Sequence, residues 1–181
     1  MLNRYIGRPN DETGRMDKEI DVYNMLDKLG VIYERIDHKP AMTMEVCKDI
    51  EESLGAEICK NLFLCNRQGT KFYLLMMAKD KKFKTKELSS QINSARLSFA
   101  SDEDMIKYLN ITPGSVSVMG LLNDVNHDVC LLLDEDILKG EYIGCHPCIN
   151  TSSIRLKTKD LLDKVLPYLG YTPVLVKLLG E

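Results

Sequence analysis

The stretch Lys60–Ala78, KNLFLCNRQGTKFYLLMMA, places two apolar runs on either side of a short polar segment. The segment Asn66–Thr70 contains the asparagine and glycine that suit a tight β-hairpin turn. The runs Asn61–Cys65 and Lys71–Ala78 are therefore predicted to form neighbouring antiparallel strands. Apolar residues fill both runs almost without interruption, which indicates a sheet that is buried on both faces.

The segments on either side of this hairpin predict a mixed α/β fold of the α+β type. Their order lacks the regular alternation of a doubly wound parallel sheet. Helices are expected over residues 16–29, 43–55, 101–108 and 158–169, with a short one ending at 92, and further strands over 31–37, 96–100, 116–121, 129–134, 141–144 and 153–157. Residues 1–15 lack periodicity and predict an extended or flexible arm, which leaves residues 16–181 as one domain.

The composition disfavours several classes of protein. The 181 residues are 44% hydrophobic and 28% charged, which suffices for one globular core. The net charge of −3 argues against a protein that coats nucleic acid by bulk electrostatic attraction. Because no run of about 18 apolar residues exists and the start is polar, we expect no membrane association and a cytoplasmic location. The six cysteines are then expected to be free thiols, ligands or core residues instead of a disulfide framework.

The stretch Gly144–Thr151, GCHPCINT, concentrates residues capable of chemistry. Cys145 and Cys148 have the spacing of a redox pair, but no helix is predicted after them, which disfavours redox work. With His127 and Cys130 they would offer four soft ligands at zinc-like spacing, so a zinc site stays open as a minor alternative. The sequence contains no serine-hydrolase elbow, phosphate-binding loop, dinucleotide fingerprint or His-Glu-x-x-His motif, which disfavours those chemistries.

Three segments together carry a resemblance to a known family: Lys60–Leu64, Pro113–Leu121 and Gly144–Thr151. In this order they resemble the YbaK/EbsC family of aminoacyl-tRNA deacylases, which includes the editing domain inserted in bacterial prolyl-tRNA synthetase. The similarity is greatest to the free-standing ProX-type members and covers about residues 16–170. The resemblance implies a curved, mostly antiparallel sheet flanked by helices, with the three segments meeting in a cleft for the 3′ end of tRNA.

The same resemblance implies a set of site residues. Lys60 would hold a phosphate or ribose group of the terminal adenosine, Gly114 would let the backbone approach the aminoacyl ester, and His146 would line the pocket. The further residues implied to contact the substrate are Asn61, Ser115, Met119, Gly144, Pro147 and Asn150. The basic stretch that follows the hairpin is either a solvated loop or a patch facing tRNA phosphates, formed by Lys79, Lys81, Lys82 and Lys84.

The implied activity is trans-editing, the hydrolysis of mischarged tRNA(Pro), with alanyl-tRNA(Pro) as the expected substrate. No metal or cofactor is expected. No protein nucleophile is needed either, because the ester is activated and the vicinal ribose hydroxyl can orient the attacking water. The expected partner is the acceptor end of tRNA(Pro), prolyl-tRNA synthetase is a further candidate, and the protein is expected to be a monomer or homodimer. Related chains commonly carry a proline and an aromatic residue where this one has Val118 and Met119. An inactive tRNA- or amino-acid-sensing module of the same fold therefore stays open.

Overall fold

The computed structural model describes residues 2–40 and 44–180. The strands in this part of the chain are β1 (Arg4–Ile6), β2 (Tyr33–Asp37), β3 (Lys60–Asn66), β4 (Phe72–Met77), β5 (Leu97–Phe99), β6 (Val129–Asp134), β7 (Tyr142–Cys145), β8 (Ser152–Lys157) and β9 (Val174–Val176). The helices are α1 (Asp17–Lys28), α2 (Met44–Leu54), α3 (Thr85–Gln91), α4 (Asp102–Leu109), α5 (Thr158–Asp160) and α6 (Leu166–Leu169), with a π-helical segment, Leu161–Val165, between the last two. Most predicted elements are present at their expected places, and Thr43, the first residue of the helix predicted over residues 43–55, lies outside the described residues.

The strands form two sheets, and the predicted mixed, mostly antiparallel α/β fold is confirmed. One sheet has the order β1-β2-β8-β7 and is antiparallel throughout. The other has the order β5-β3-β4-β6-β9, in which β5, β3 and β4 are antiparallel and β6 and β9 run parallel to β4. The prediction treated these strands as one sheet, because strand patterns do not show which strands pair.

The hairpin that dominates the sequence is formed as predicted. Strands β3 and β4 pair in the register that sets Leu62 opposite Leu75. Asn66 shapes the turn, since its Oδ1 accepts hydrogen bonds from the backbone N–H of Thr70 at 2.8 Å and of Lys71 at 3.1 Å. This side chain replaces backbone partners that a tight turn leaves unpaired.

Two apolar clusters lie on opposite faces of the five-stranded sheet, as the uninterrupted apolar runs indicated. The first cluster contains Phe63 of β3 together with Leu26 of α1 and Ile154 of the other sheet. The second contains Leu64 and Leu75 with residues from α3, β9 and the C-terminal segment. Because successive side chains of a strand point to opposite faces, the position of each β3 residue determines which cluster it faces.

The predicted strand Val116–Leu121 is wrong: residues Val118–Asn123 form a 3₁₀ helix. The side chain of Ser117 caps this helix, because its Oγ accepts a hydrogen bond from the backbone N–H of Met119 at 3.1 Å. Its first four residues, Val118–Leu121, are all buried, so its apolar residues show no helical periodicity. Gly120 packs so closely that a Cβ there would lie 2.5 Å from Ile111 Cδ1.

The N-terminal segment predicted as an extended or flexible arm contributes β1, which pairs with β2 at the edge of the four-stranded sheet. Arg8 extends the contact, since its Nη1 lies 3.2 Å from Asp27 Oδ2 in α1. None of the helices among the described residues has the length and apolar character needed to cross a membrane.

Candidate functional site

A surface cleft of ≈ 460 Å³ lies where three parts of the chain meet. One wall comes from the start of α1 and the residues before it, Thr13–Glu19. A second comes from Thr112 and Ser115, and a third is the loop Cys148–Thr151 between β7 and β8. The cleft therefore brings together two of the three segments that carry the family resemblance.

Gly114 lies next to Asn150, which lines the cleft together with Thr112 and Ser115 on either side of the Pro113–Gly114 turn. Gly114 has a φ of +86°, a conformation that residues with a Cβ rarely adopt. A Cβ built on Gly114 would lie 3.7 Å from Asn150 Nδ2, so the amide lies next to bare backbone. The turn is closed by Ser115, whose backbone N–H donates to Thr112 O at 3.1 Å. The predicted residues Gly114, Ser115 and Asn150 are thus neighbours in the structure.

The wall formed by the residues around the start of α1 contains paired charges, and the sequence did not predict this wall. Arg15 Nη1 lies 2.6 Å from Glu19 Oε1, and Arg15 Nη2 lies 2.9 Å from Asp37 Oδ2. Burial raises the pKa of Asp37, but the hydrogen bonds from Arg15 and Arg35 outweigh it and lower that pKa to about 2. The carboxylate is therefore charged at neutral pH and is neutralised by the two guanidinium groups.

His146 directly follows β7 and is half-buried. Its Nδ1 lies 3.0 Å from Ser152 O and 3.3 Å from Ser153 Oγ. Burial lowers the pKa of His146, the hydrogen bond to Ser152 opposes this effect, and the neighbouring His38 adds to it. A neutral imidazole is the expected form at neutral pH. Among the described residues, no hydrogen-bond partner lies at its Nε2.

Lys60 is not brought to the cleft. It begins β3, and by strand alternation its side chain shares a face with Leu62 and Leu64, on the side of the second apolar cluster. Its Nζ donates to Lys81 O at 2.6 Å. The sequence grouped Lys60 with Gly114 and His146 by family resemblance, but the pleat of the strand turns the Lys60 side chain to the opposite face of the sheet.

Asn61 faces the first apolar cluster instead. Its Nδ2 donates to Cys59 O at 2.9 Å, while its Oδ1 is buried and has no hydrogen-bond partner among the described residues. An unpaired buried amide oxygen is costly in a folded protein, by about 1–3 kcal/mol. This oxygen is therefore a candidate for a hydrogen bond to a bound molecule.

Three other predicted contact residues, Gly144, Met119 and Pro147, are buried and do not line the cleft. Gly144 has a packing reason for lacking a side chain, since a Cβ there would lie 2.8 Å from Glu57 O. Its backbone N–H donates to the same oxygen at 2.9 Å, joining β7 to the segment before β3. Met119 is fully buried in the first apolar cluster.

The predicted phosphate patch divides into two kinds of lysine. Lys82 and Lys84 are exposed. Lys79 forms an ion pair with Glu51. Lys81 departs from the prediction, because its side chain is only 12% exposed and its Nζ lies 2.8 Å from the buried carboxylate of Asp134. Lys81 is thus part of an internal ion pair instead of a free surface cation.

The four residues of the zinc alternative do not converge. Cys145 and Cys148 lie in the first apolar cluster, whereas Cys130 packs against the second and His127 bonds to Leu169 O on the surface. Within residues 2–40 and 44–180, no three histidine, cysteine or acidic side chains are arranged to hold a metal. Burial raises the pKa of Cys148 to about 12 and also raises that of Cys145, so neither is a ready nucleophile.

Comparison with known proteins adds an independent finding. Residues 38–164 match the family model of the aminoacyl-tRNA editing domain. The chain is 36% identical over 157 residues to the prolyl-tRNA editing protein ProX of Acetoanaerobium sticklandii, covering 87% of this chain and 95% of that protein. It is 25% identical over 163 residues to prolyl-tRNA synthetase associated domain-containing protein 1 of Danio rerio, covering 89% of this chain and 88% of that one. A crystal structure provisionally described as a trans-editing enzyme for prolyl tRNA synthetase shares the fold, with a TM-score of 0.67 and 18% identity over 90% of this chain and 97% of that one.

Proposed function

The chain belongs to the aminoacyl-tRNA editing domain family, and we propose that it is a free-standing prolyl-tRNA editing protein that hydrolyses the ester bond of mischarged tRNA. The observation that carries this proposal is the 36% identity to a prolyl-tRNA editing protein over 95% of that protein's length. The cleft adds support, because two of the family-like segments meet there and Gly114 lies next to Asn150 in its wall.

The proposed substrate is alanyl-tRNA(Pro). A synthetase pocket built for proline cannot strongly exclude a smaller amino acid, because a missing methylene changes binding by only about 1–3 kcal/mol. A second site that admits alanine and sterically refuses proline corrects the error.

The proposed reaction uses positioning instead of a protein nucleophile. Gly114 would let the ester approach the backbone, and the Asn150 amide beside it would donate to the substrate. The vicinal ribose hydroxyl of the terminal adenosine would orient the attacking water, and a neutral His146 would accept a hydrogen bond at Nε2. One well-placed donor to the developing oxyanion is worth about 3–4 kcal/mol. The chemistry therefore needs few protein groups.

Lys60 enters this scheme under one condition. Its Nζ donates to Lys81 O in the structure, away from the cleft. To bind the substrate, Nζ must leave Lys81 O and donate to a phosphate or ribose oxygen instead. Asn61, with its unpaired Oδ1, is the β3 residue that already faces the first cluster. We propose that Lys82 and Lys84, both exposed, contact phosphates of the acceptor end.

A deacylation panel tests the proposal. Purified protein is incubated with alanyl-, cysteinyl- and prolyl-tRNA(Pro), and the loss of aminoacyl ester is followed over time. We expect rapid hydrolysis of alanyl-tRNA(Pro) and little of prolyl-tRNA(Pro). If cysteinyl-tRNA(Pro) is hydrolysed faster than alanyl-tRNA(Pro), cysteine instead of alanine is the amino acid that the protein removes. Binding of tRNA with no hydrolysis of any ester would instead favour the inactive sensing module.

A further inference from the structure

His38 and His146 lie far apart in the sequence but are joined by one buried hydroxyl. Their ring centroids are 6.2 Å apart, and Ser153 Oγ lies 2.8 Å from His38 Nε2 and 3.3 Å from His146 Nδ1. Backbone contacts between the two strands hold this arrangement, since His38 N–H donates to Thr151 O at 2.9 Å. Ser153 is fully buried, so its hydroxyl proton must go to one of these neighbours.

Two carbonyl oxygens and the Ser153 hydroxyl together determine which ring nitrogens carry protons. Lys39 O lies 2.8 Å from His38 Nδ1, and because a carbonyl only accepts, neutral His38 is protonated at Nδ1. Its Nε2 is then an acceptor, and the Ser153 hydroxyl donates to it. Ser152 O lies 3.0 Å from His146 Nδ1 and favours a proton on that nitrogen, whereas a hydrogen bond donated by the Ser153 hydroxyl to the same nitrogen would require it to be unprotonated. The hydrogen bonds therefore run in one direction, from His146 through Ser153 to His38.

We propose that His38 is a positioning residue that selects the tautomer of His146. While the Ser153 hydroxyl donates its single hydrogen bond to His38 Nε2, it cannot donate to His146 Nδ1. His146 then keeps its own proton on Nδ1, and its Nε2 is left as an unprotonated acceptor for the substrate or water. The inference rests on the proposed function for its consequence, but the tautomer itself belongs to the free protein.

Removing the acceptor of His38 should reverse the tautomer. In His38→Leu, the Ser153 hydroxyl loses its partner and turns to donate to His146 Nδ1, so the ring proton moves to Nε2. In the double variant His38→Leu/Ser153→Ala, no hydroxyl competes and Ser152 O again holds the proton on Nδ1. His38→Gln keeps an acceptor oxygen within reach of the Ser153 hydroxyl, so its kcat/KM for deacylation should fall less than that of His38→Leu.

Ring nitrogen spectra test this directly. Long-range ¹H–¹⁵N correlations of the full-length protein, at a pH where the histidines are neutral, identify the protonated nitrogen of His146. We expect Nδ1–H in the wild type, Nε2–H in His38→Leu, and Nδ1–H again in the double variant. A His146 ring that stays protonated at Nδ1 in folded His38→Leu would overturn the proposal.

Deacylation kinetics provide the second readout. We expect kcat/KM to fall roughly tenfold in His38→Leu, the size of one net hydrogen bond, and to recover in the double variant. A purely structural role of His38 predicts a double variant at least as impaired as the single one, which would also overturn the proposal. A wild-type protein that hydrolyses no aminoacyl-tRNA would overturn the proposed function, while the ring spectra still decide the tautomer.

Discussion

Replacing Lys81 by methionine should destabilise the protein far more than the same change at its neighbour Lys82. Lys81 Nζ lies 2.8 Å from Asp134 Oδ2, 2.6 Å from Asp136 Oδ2 and 2.6 Å from Leu178 O. Burial lowers the pKa of Lys81, but the hydrogen bonds to Asp134 and Asp136 outweigh it and the net pKa is raised. The ammonium is therefore stabilised by the fold, and its removal leaves the fully buried Asp134 carboxylate without a cation.

The magnitude follows from the burial of the two partners. Breaking a buried ion pair by removing one member costs about 3–5 kcal/mol. Lys81 keeps some solvent contact, and the backbone N–H of Leu178 still donates to Asp134 Oδ1 at 3.4 Å, so we expect a loss near the lower end, about 3 kcal/mol. For a chain of this size the loss corresponds to a decrease in Tm of roughly 6–12 °C. Because Lys82 is exposed, Lys82→Met should change the free energy of unfolding by no more than about 0.5 kcal/mol.

Urea unfolding followed by circular dichroism measures both variants against the wild type. A double variant, Lys81→Met/Asp134→Asn, should recover part of the loss, because it removes the stranded charge as well as its partner. If Lys81→Met and Lys82→Met differ by less than about 1 kcal/mol, the ion pair does not stabilise the fold and the reasoning is refuted.

Further predictions concern the cleft, the patch, the thiols and pH. Gly114→Ala and Gly69→Ala should each lose about 1 kcal/mol in urea unfolding, because both have positive φ, but only Gly114→Ala should slow deacylation; equal effects on activity would contradict the role of Gly114. Lys82→Met should weaken tRNA binding and lower the slope of log affinity against log salt by about 1, in a filter-binding titration; an unchanged slope would remove Lys82 from the patch. In thiol labelling of the folded protein, exposed Cys47 should react first, while Cys59 and Cys148, whose pKa values burial raises to about 12, should react only on unfolding. Since burial lowers the folded-state pKa of His146 below its ordinary 6.5, the unfolded chain binds more protons in acid, and stability should fall as the pH drops through 6.5. Urea titrations at about pH 7.5 and about pH 5.5 should show a smaller decrease in the free energy of unfolding for His146→Gln than for the wild type. An equal decrease in both proteins would mean that other groups cause the pH dependence.

The parts of the fold that depend on local chemistry were predictable from the sequence. The hairpin Lys60–Ala78 was found because its turn residues and apolar runs are adjacent in the chain. The helix at Asp102 was found because Ser101 caps it, with its Oγ accepting from Asp104 N–H at 3.1 Å. Such signals need no knowledge of distant residues.

The parts that depend on distant pairing were not predictable. The 3₁₀ helix at Val118–Asn123 begins with four consecutive buried residues, so its apolar residues resemble a buried strand. Arg15 and Lys81 look like ordinary surface cations until their carboxylate partners, 22 and 53 residues away in sequence, are in place. Motif spacing does not show which way a strand residue points, so it could not show that the Lys60 side chain shares a face with Leu62 and Leu64.

The pairing of β2 with β8 has a consequence for the order of events in synthesis and refolding. It joins residues 33–37 to residues 152–157, and His38, Thr151 and Ser153 lie at that junction. Contacts between such distant parts of a chain raise the contact order and form slowly. A nascent chain therefore lacks both the histidine pair and the loop that closes the cleft until residue 157 has left the ribosome. In refolding, activity should return with the slowest conformational phase, after most secondary structure has formed.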